Sequence, residues 1–255
     1  SIALAEDREQ FRRLLQRLNL QQAPSDTCWT LEQAIRITEQ IGFPVLMRPS
    51  FVLGGAKMMI VEDLEGLETY WSELAAYSAR ADVEISQRRP ILIDKFLDDA
   101  IEVDVDCISD GTTSIVGAVM EHIELAGVHS GDSACAIPPY SLSKSVVEEI
   151  ERQSKALAAE LDVRGVMNVQ YAVKGDQIYV LEVNPRASRT IPFVSKAIGK
   201  PLAQLAAKIM AGKKLEELGL TKEVRVSHFS VKEAALPFNK FPESDIILGP
   251  EMKST

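Results

Sequence analysis

The sequence predicts an α+β fold, and two patterns lead to that prediction. Short apolar segments separated by glycine turns are typical of antiparallel strands, and other segments carry apolar residues at the spacing of an amphipathic helix. The chain has 255 residues, of which 46% are hydrophobic and 25% are charged. These values are typical of an ordinary globular protein that is long enough for one large core or for about two or three subdomains.

Charge and cysteine content exclude several classes of function. The net charge of −9 and the pI near 5.0 argue against non-specific binding to nucleic acid or to an anionic membrane, so neither is expected as a partner. No apolar run reaches the length of a transmembrane helix, and the N-terminus has no signal-peptide pattern. The three cysteines are widely spaced, which fits reduced thiols and a cytoplasmic location.

The first predicted elements are two helices and a hairpin. Gly54 and Gly55 join the two strands of the hairpin, and the backbone N–H groups of such a flap can fold over phosphates. A glycine pair between strands is otherwise only a hairpin, but Arg48 on the preceding strand favours the phosphate interpretation. The predicted elements are a helix at 4–20, a linker at 22–30, a helix at 31–40, and strands at 43–50 and 58–62.

The rest of the chain also mixes helices with strands. Asp63 and Ser143 are expected to cap two amphipathic helices, and a third helix is expected to break near Gly199. The predicted helices are at 63–79, 143–161 and 193–210. The predicted strands are at 90–97, 101–109, 112–123, 165–173 and 224–238.

Two segments of this region carry polar side chains. In one strand, Glu102, Asp104 and Asp106 alternate with apolar residues and so share one face. Three acids on one face are typical of a surface that faces solvent, and contact of one acid with a ligand is the alternative. The loop at 127–133 is small, polar and framed by glycines, so it can approach a ligand closely. His129 in this loop is a candidate catalytic or ligand-binding residue, although a lone loop histidine is more often neither.

The stretch from Tyr179 to Arg189 concentrates more chemistry than any other. Its first half is predicted as a strand, in which Glu182 and Asn184 point to the same face because side chains alternate. A carboxylate and an amide oxygen on one face suit Mg²⁺ or Mn²⁺. Arg186 and Arg189 follow on a turn, and guanidinium groups capture phosphate or carboxylate. The alternative is a buried strand with a salt-bridged end.

The preceding hairpin adds a third candidate ligand. The strand at 165–173 carries an amide at Gln170, and residues 174–176 are predicted as a three-residue loop. In that register Gln170 lies on the same face as Glu182 and Asn184, whereas a two-residue loop would place it on the other face. The three-residue loop therefore predicts that Gln170, Glu182 and Asn184 converge on one metal site.

A series of motifs matches a known family in the family's own order. They are AEDR at 5–8, VLMRPSFVLGG at 45–55, EVDVD at 102–106, MEHIE at 120–124, AGVHSGDS at 126–133, MNVQ at 167–170 and EVNPRASR at 182–189. With these motifs the chain resembles the large subunit of carbamoyl phosphate synthetase over essentially its whole length. The stretch from Thr190 to Lys196 resembles the C-terminal ATP-grasp half of that subunit, because the N-terminal half typically has Ser-Ser-Ala-Leu-Ala-Ser-Lys there.

The resemblance implies an ATP-grasp fold, in which two α+β subdomains hold the nucleotide between them. The Rossmann-like segment that precedes this region in the family is expected to be lacking here. The implied division is an N-terminal helix of the ATP-grasp body at 1–23, a lid subdomain with the glycine flap at 24–94, and a C-terminal subdomain with the metal and substrate site at 95–255.

The resemblance also implies an enzyme, an ATP-grasp ligase that phosphorylates carbamate to carbamoyl phosphate. This reaction would be one half-site of a glutamine-hydrolysing synthetase for pyrimidine and arginine biosynthesis, with ATP and Mg²⁺ or Mn²⁺ as cofactors. The implied partners are the substrates ATP and carbamate, the remainder of the large subunit, and a glutaminase small subunit. The alternatives are a bicarbonate-phosphorylating or other ATP-grasp carboxylate ligase, and a fragment that binds ATP without turnover.

The same resemblance implies roles for individual residues. The implied catalytic residues are Arg48, Arg186 and Arg189, which would hold phosphate and carbamate. The implied metal ligands are Gln170, Glu182 and Asn184. The implied nucleotide contacts are Arg8, Arg48, Gly54, Gly55, Lys95, Leu97, Glu102, Gly127, Val128, His129, Ser130, Gln170 and Glu182. Lys95 departs from the family, which commonly has histidine at that position.

Overall fold

The computed structural model describes residues 5, 7–51, 57–81, 83–240 and 246–254. Gly54 and Gly55 of the predicted flap lie outside these residues, and so does the side chain of Arg8. Helices and strands are mixed along the chain, which confirms the α+β prediction. The helices are α1 (Arg8–Arg17), α2 (Leu31–Ile41), α3 (Leu64–Ala81), α4 (Lys144–Glu160), α5 (Ile191–Ile198) and α6 (Leu202–Met210). The strands are β1 (Ser25–Cys28), β2 (Val45–Pro49), β3 (Met59–Val61), β4 (Ile91–Lys95), β5 (Ile101–Asp110), β6 (Ser114–Leu125), β7 (Cys135–Ile137), β8 (Arg164–Lys174), β9 (Gln177–Asn184) and β10 (Ser230–Lys232).

The chain divides into two compact units, each built on one sheet. The four-stranded unit comprises Ala23–Asp99, Ala126–Asp132 and Ala234–Thr255. The six-stranded unit comprises Ser1–Gln22, Ala100–Leu125 and Ser133–Glu233. The three-part division that the resemblance implies stays a prediction.

The four-stranded unit contains an antiparallel sheet in the order β1-β4-β2-β3. Alternate residues of β2 and β4 are buried, and they join one core with apolar residues of α2 and α3. Thr30 and Asp63 cap these helices, because their side chains accept hydrogen bonds from the backbone N–H groups of Gln33 and Gly66. These two helices and the hairpin strands confirm the predicted elements.

Part of the predicted linker at 22–30 is wrong, because Ser25–Cys28 forms the edge strand β1. Of these four residues only Cys28 is buried. A polar segment with a single buried position lacks the alternation from which a strand is predicted. Its pairing with β4 is a tertiary contact that the local pattern does not contain.

The six-stranded unit contains an antiparallel sheet in the order β10-β7-β6-β5-β8-β9. One core, which includes Leu14, Ile150 and Tyr171, packs α1 and α4 against the sheet. A second core, which includes Ile108 and Val194, packs α5 and α6 against it. Strand β5 contributes side chains to both cores, and its backbone pairs with β6 on one edge and with β8 on the other.

The predicted strand at 224–238 is wrong over most of its length, since only Ser230–Lys232 pairs. Its partner β7 has three residues and is followed by Pro138, which has no N–H group to donate, so the ladder does not continue past Ile137. Nothing in the sequence pattern predicts a strand as short as β7. Within the described ranges, no helix has the length and apolar character of a membrane span.

The hairpin between β8 and β9 differs from the prediction. Lys174 pairs with Gln177, so the loop has two residues, at 175–176, instead of three. The predicted loop is therefore wrong. On its own, the shorter loop would place Gln170 and Glu182 on opposite faces of the sheet.

A β-bulge in the same hairpin restores the predicted face. The register is regular up to Tyr171 opposite Val180, and it then shifts so that Gln170 lies opposite Glu182. Leu181 is the extra residue of the bulge on β9. The shorter loop and the bulge compensate each other, because each changes the alternation by one residue.

Candidate functional site

One face of the six-stranded sheet carries a cluster of polar side chains on β5, β8 and β9. Gln170 lies opposite Glu182 on one side and opposite Asp104 on the other. Asn168 occupies the equivalent position two residues away, opposite the same two strands. Directly paired residues point to the same face. The cluster therefore consists of Asp104, Asp106, Asn168, Gln170, Glu182 and Asn184.

The three predicted metal ligands belong to this cluster. Gln170 and Asn184 are half-buried, and Glu182 is exposed. Two amide oxygens and one carboxylate are hard donors of the kind that Mg²⁺ and Mn²⁺ take, so this donor set fits such a cation. Among the residues that the structure describes, no group of three or more His, Cys, Asp or Glu is placed to hold a metal ion. The predicted set differs from such a group because it combines one carboxylate with two side-chain amides.

Arg186 and Arg189 lie on an exposed turn directly after β9. The backbone N–H of Arg186 donates to the Asn184 carbonyl at 2.7 Å. Its guanidinium Nη2 donates to the Asn184 side-chain oxygen at 3.1 Å. That oxygen has a second lone pair, so it can still bind a cation. The turn thus places the guanidinium group of Arg186 next to Asn184, and Arg189 is a second exposed cation on the same turn.

Asp106 lies beneath this turn and is fully buried. It accepts hydrogen bonds from Asn168 Nδ2 at 3.0 Å, Ser188 Oγ at 2.9 Å and Thr190 Oγ1 at 2.6 Å. Burial raises the pKa of Asp106 to about 6, although these hydrogen bonds partly offset that effect. The expectation that the acids of β5 face solvent is wrong for Asp106, because the turn after β9 covers it.

Glu102 and Asp104 of β5 flank a buried histidine. His122 Nε2 lies 3.0 Å from Asp104 Oδ2, and His122 Nδ1 lies 3.7 Å from Glu102 Oε2. Burial lowers the pKa of His122, but the hydrogen bond and charge of Asp104 and the charge of Glu102 outweigh it, so the pKa is raised. Asp104 is 4% exposed, so the solvent-facing expectation is wrong for it as well. Glu102, the predicted nucleotide contact, is half-buried.

The four-stranded unit holds the other described site residues. Arg48 Nε lies 3.0 Å from Asp94 Oδ2, and 41% of its side chain is exposed. Lys95 Nζ donates to the backbone carbonyl of Phe43 at 2.7 Å and to that of Gly42 at 3.2 Å. The ammonium group of Lys95 therefore holds the chain segment that leads into β2. Leu97 follows β4 and is half-buried.

The loop at 126–132 belongs to the same four-stranded unit. Gly127 has a φ of 106°, and a Cβ there would lie 3.0 Å from Ile60 Cδ1 and 3.1 Å from the Phe96 ring, so only glycine fits. The backbone N–H of His129 donates to the Gly249 carbonyl at 2.8 Å. The other two predicted contacts of this loop are half-buried, and they are Val128 and Ser130.

The predicted site residues thus form two groups, one in each unit. The sequence pattern does not predict the network around Asp106, whose donors Asn168, Ser188 and Thr190 come from different elements of the unit. One signal was present, because Asn168 is two residues from Gln170 and must share its face in a regular strand.

Two solved structures are similar to this chain. The biotin carboxylase domain dimer of the Hydrogenobacter thermophilus 2-oxoglutarate carboxylase, in complex with MgADP, ADP and bicarbonate, has a TM-score of 0.75 and 17% identity, over 93% of this chain and 52% of that one. The biotin carboxylase-β-γ-ATP complex from Campylobacter jejuni has a TM-score of 0.74 and 16% identity, over 91% and 51%. These likenesses confirm the ATP-grasp fold, and at such identity they concern the fold alone.

Curated relatives are much more similar in sequence. The carbamoyl phosphate synthase large chain, C-terminal section, of Aquifex aeolicus is 55% identical over 273 residues, which cover 100% of this chain and 49% of that protein. The carbamoyl phosphate synthase large chain of Pseudomonas putida is 56% identical over 255 residues, and this chain spans 23% of its length. The family described as the carbamoyl-phosphate synthase L chain, ATP binding domain, matches residues 7–218. The chain therefore belongs to the family of carbamoyl-phosphate synthase L chain ATP-binding domains.

Proposed function

We propose that this chain phosphorylates carbamate with ATP to give carbamoyl phosphate and ADP. The observation that carries the proposal is the β8–β9 register, which aligns Gln170 with Glu182 and leads through Asn184 into the turn with Arg186 and Arg189. The reaction would be one half-site of a glutamine-hydrolysing carbamoyl phosphate synthase. The Thr190–Lys196 stretch and the Aquifex relative, a C-terminal section, support the carbamate half-site over the bicarbonate half-site.

Gln170, Glu182 and Asn184 would hold Mg²⁺ or Mn²⁺. The fit rests on their shared face and on their oxygen chemistry. When bound, the divalent cation supplies positive charge to the triphosphate oxygens. Arg186 donates to the Asn184 side-chain oxygen, so its guanidinium group lies next to the proposed cation site. The guanidinium group and the cation would then both neutralise negative charge on the same phosphate.

The arginines would neutralise the charge of the transferring group. An oxygen of carbamate attacks the γ-phosphorus of ATP, the bond to the β,γ-bridging oxygen breaks, and ADP leaves with that electron pair. The protein contributes alignment and charge neutralisation, because it forms no covalent bond in this step. Arg186 and Arg189 are exposed, and within the described residues neither forms an ion pair with a carboxylate, whereas Arg48 is paired with Asp94.

The nucleotide would be bound by residues from both groups, and excluding water during the reaction would fall to the flap. The proposed division of the chain is a body helix at 1–23, a lid at 24–94 and a C-terminal subdomain at 95–255. Closure of a flap protects the phosphoryl donor from hydrolysis. The proposed nucleotide contacts are Arg8, Arg48, Gly54, Gly55, Lys95, Leu97, Glu102, Gly127, Val128, His129, Ser130, Gln170 and Glu182.

The proposed partners follow from the relatives. This chain spans 49% of the Aquifex section and 23% of the Pseudomonas large chain, so the remainder of a large chain is one proposed partner. A glutaminase small subunit that supplies ammonia is the second. Such an assembly would act in the cytoplasm, in pyrimidine and arginine biosynthesis.

The first experiment is calorimetric titration of MgATP into the chain and into two variants. We expect Glu182→Ala to weaken binding ~10–100-fold, because it removes the only carboxylate of the donor set. Asp176→Ala is the matched control, since it removes an exposed carboxylate from the other end of the same strand pair and is expected to bind like the wild type. Equal binding by all three proteins would contradict the proposed metal–nucleotide site.

The acceptor is tested separately by ADP formation. Freshly prepared carbamate is expected to stimulate ADP release, and bicarbonate without ammonia is expected to leave the basal rate unchanged. Stimulation by bicarbonate alone would identify the other half-site. MgATP binding without stimulation by either acceptor would identify a binding module.

A further inference from the structure

The turn that carries the two arginines is fastened at two points to one carboxylate. Ser188 Oγ donates to Asp106 Oδ1 at 2.9 Å, and Thr190 Oγ1 donates to Asp106 Oδ2 at 2.6 Å. These two hydroxyl residues lie on either side of Arg189. Each carboxylate oxygen therefore holds one end of the segment from which Arg189 projects.

The Thr190 hydroxyl contacts Asp106 instead of capping helix α5. It occupies the N-cap position of α5, but its side chain makes no capping hydrogen bond. At the N-termini of α2 and α4, by contrast, Thr30 and Ser143 accept from the backbone N–H groups of Gln33 and Val146. The Thr190 hydroxyl is directed to Asp106 instead, so it fixes the turn to the sheet rather than completing the helix.

A third donor connects the carboxylate to the metal-binding strand pair. Asn168 Nδ2 donates to Asp106 Oδ1 at 3.0 Å, and Asn168 pairs with Asn184 across β8 and β9. Asp106 thus touches a residue aligned with a proposed metal ligand and two residues of the arginine turn. It is the junction of these two parts of the proposed site.

Asp106 also has the rigidity that such a junction needs. It is fully buried, and its strand β5 pairs with β6 and β8. The turn itself is exposed at Arg186, Ala187 and Arg189. A charged side chain on an exposed segment keeps a defined position only if a rigid residue holds that segment in place.

We propose that Asp106 is a positioning residue that holds Arg186 and Arg189 in place for the transferring phosphoryl group. The inference rests on the proposed function for what the arginines do. Whether Asp106 fastens the turn is independent of turnover, and cleavage of the turn by trypsin tests it.

Thr112, in the turn between β5 and β6, provides a matched control for Thr190. Its hydroxyl donates to Asp110 Oδ1 at 2.6 Å, the same distance as that from Thr190 to Asp106. Thr190→Val and Thr112→Val therefore each delete one hydroxyl–carboxylate hydrogen bond at β5. Only the first deletion lies at the arginine turn.

The kinetic experiment compares wild type, Thr190→Val, Thr190→Ser and Thr112→Val. We expect Thr190→Val to lower kcat for carbamate-dependent ADP formation on the order of 10–100-fold, while the calorimetric affinity for MgATP changes by less than about threefold. Thr190→Ser keeps the hydroxyl and is expected to restore kcat to within about threefold. Thr112→Val is expected to match the wild type in both quantities.

The second readout is cleavage by trypsin after Arg186 and Arg189, followed by mass spectrometry of the native chain. Thr190→Val and Ser188→Ala are expected to increase cleavage there by about tenfold or more, because a released turn enters the protease more often. Thr112→Val is expected to leave the cleavage rate unchanged. If the wild type shows no carbamate-dependent turnover, the proposed function fails, while this readout still decides the role of Asp106.

Three results would overturn the proposal. One is that Thr190→Val behaves like Thr112→Val in kcat and in cleavage. Another is that Thr190→Val loses MgATP affinity together with kcat and loses far more than about 2 kcal/mol of stability, which would indicate general destabilisation. The third is that Thr190→Ser fails to restore either readout.

Discussion

Asp106 and Asp110 lie four residues apart on β5 and are both buried, yet different groups hold them. The hydrogen bonds that Asp106 accepts within the described residues come from side chains. Asp110 accepts from the backbone N–H groups of Thr112, Thr113 and Leu215, and also from the Thr112 hydroxyl. One carboxylate fastens a turn with proposed chemistry, and the other closes a tight structural turn.

The two carboxylates differ correspondingly in acidity. Burial raises the pKa of Asp106 to about 6. Burial acts in the same direction on Asp110, but hydrogen bonds from Thr112, Leu215 and Thr113 outweigh it, so the pKa of Asp110 lies well below its usual range. Asp110, which backbone amides hold, therefore stabilises the fold as an anion. Asp106 lowers the stability of the fold as an anion. Its presence is explained instead by the turn that it holds in place.

Substitution of Asp110 is expected to destabilise the protein more than substitution of Asp106. Asp110→Asn is expected to lower the free energy of unfolding at pH 7.5 by about 2–4 kcal/mol, because the buried N–H of Leu215 loses a charged acceptor. Asp106→Asn is expected to cost less than about 1 kcal/mol at this pH, because removal of a buried charge offsets the lost acceptor. Urea unfolding of both variants measures this, and an equal loss would break the distinction between the two sites.

The two carboxylates are also expected to change the stability of the protein differently with pH. The pKa of Asp106 is raised from 3.8 to about 6, so the stability contributed by its neutral form is present at low pH and is lost as pH rises through about 6. The stability of the wild type relative to Asp106→Asn is therefore expected to fall by ~2 kcal/mol from pH 4.5 to pH 8. The contribution of Asp110 has the opposite sign and is lost as pH falls below about 4, outside this window.

Unfolding of wild type and Asp106→Asn in urea at several pH values in this range gives the difference directly. A difference that stays constant, or that rises with pH, would show that Asp106 is not held with a raised pKa.

Removal of a single hydroxyl group is expected to lower the free energy of unfolding only slightly. Thr190 is buried and Thr112 is exposed, although their hydrogen bonds to the two carboxylates have the same length of 2.6 Å. Thr190→Val is expected to cost about 1–2 kcal/mol and Thr112→Val less than about 1 kcal/mol, because water replaces the lost donor at the exposed position. Denaturant titration of the two variants checks this order, and a larger loss for Thr112→Val would reverse it.

The sequence allowed much of the fold to be predicted, because most elements show a clear period or a cap. Asp63 and Ser143 cap the helices as predicted, and the break at Gly199 occurs with a φ of 66°. Strand β1 was not predictable in the same way, since its polar residues gain order only through a partner strand.

For the candidate site, alternation and the family resemblance predicted which side chains share a face. They did not predict the burial of Asp106, because a strand pattern cannot say whether a later turn will fold over an acidic face. The loop length was wrong for a related reason, since hairpin loops of two and three residues have similar sequences and a bulge leaves no clear local signal. Such features depend on pairing between elements rather than on either element alone.

The bulge at Leu181 divides the β8–β9 hairpin into two parts that differ in their tolerance of insertions and deletions. It separates a distal part of the hairpin, whose loop is at 175–176, from a proximal part in which Gln170 faces Glu182. An insertion in the distal loop that is absorbed before Tyr171 leaves the proximal register unchanged. Deletion of Leu181 reverses the face of Glu182 even though the loop is intact. We therefore expect homologues to vary in length at the tip of this hairpin, and we expect a gap at Leu181 to accompany loss of the proposed metal site.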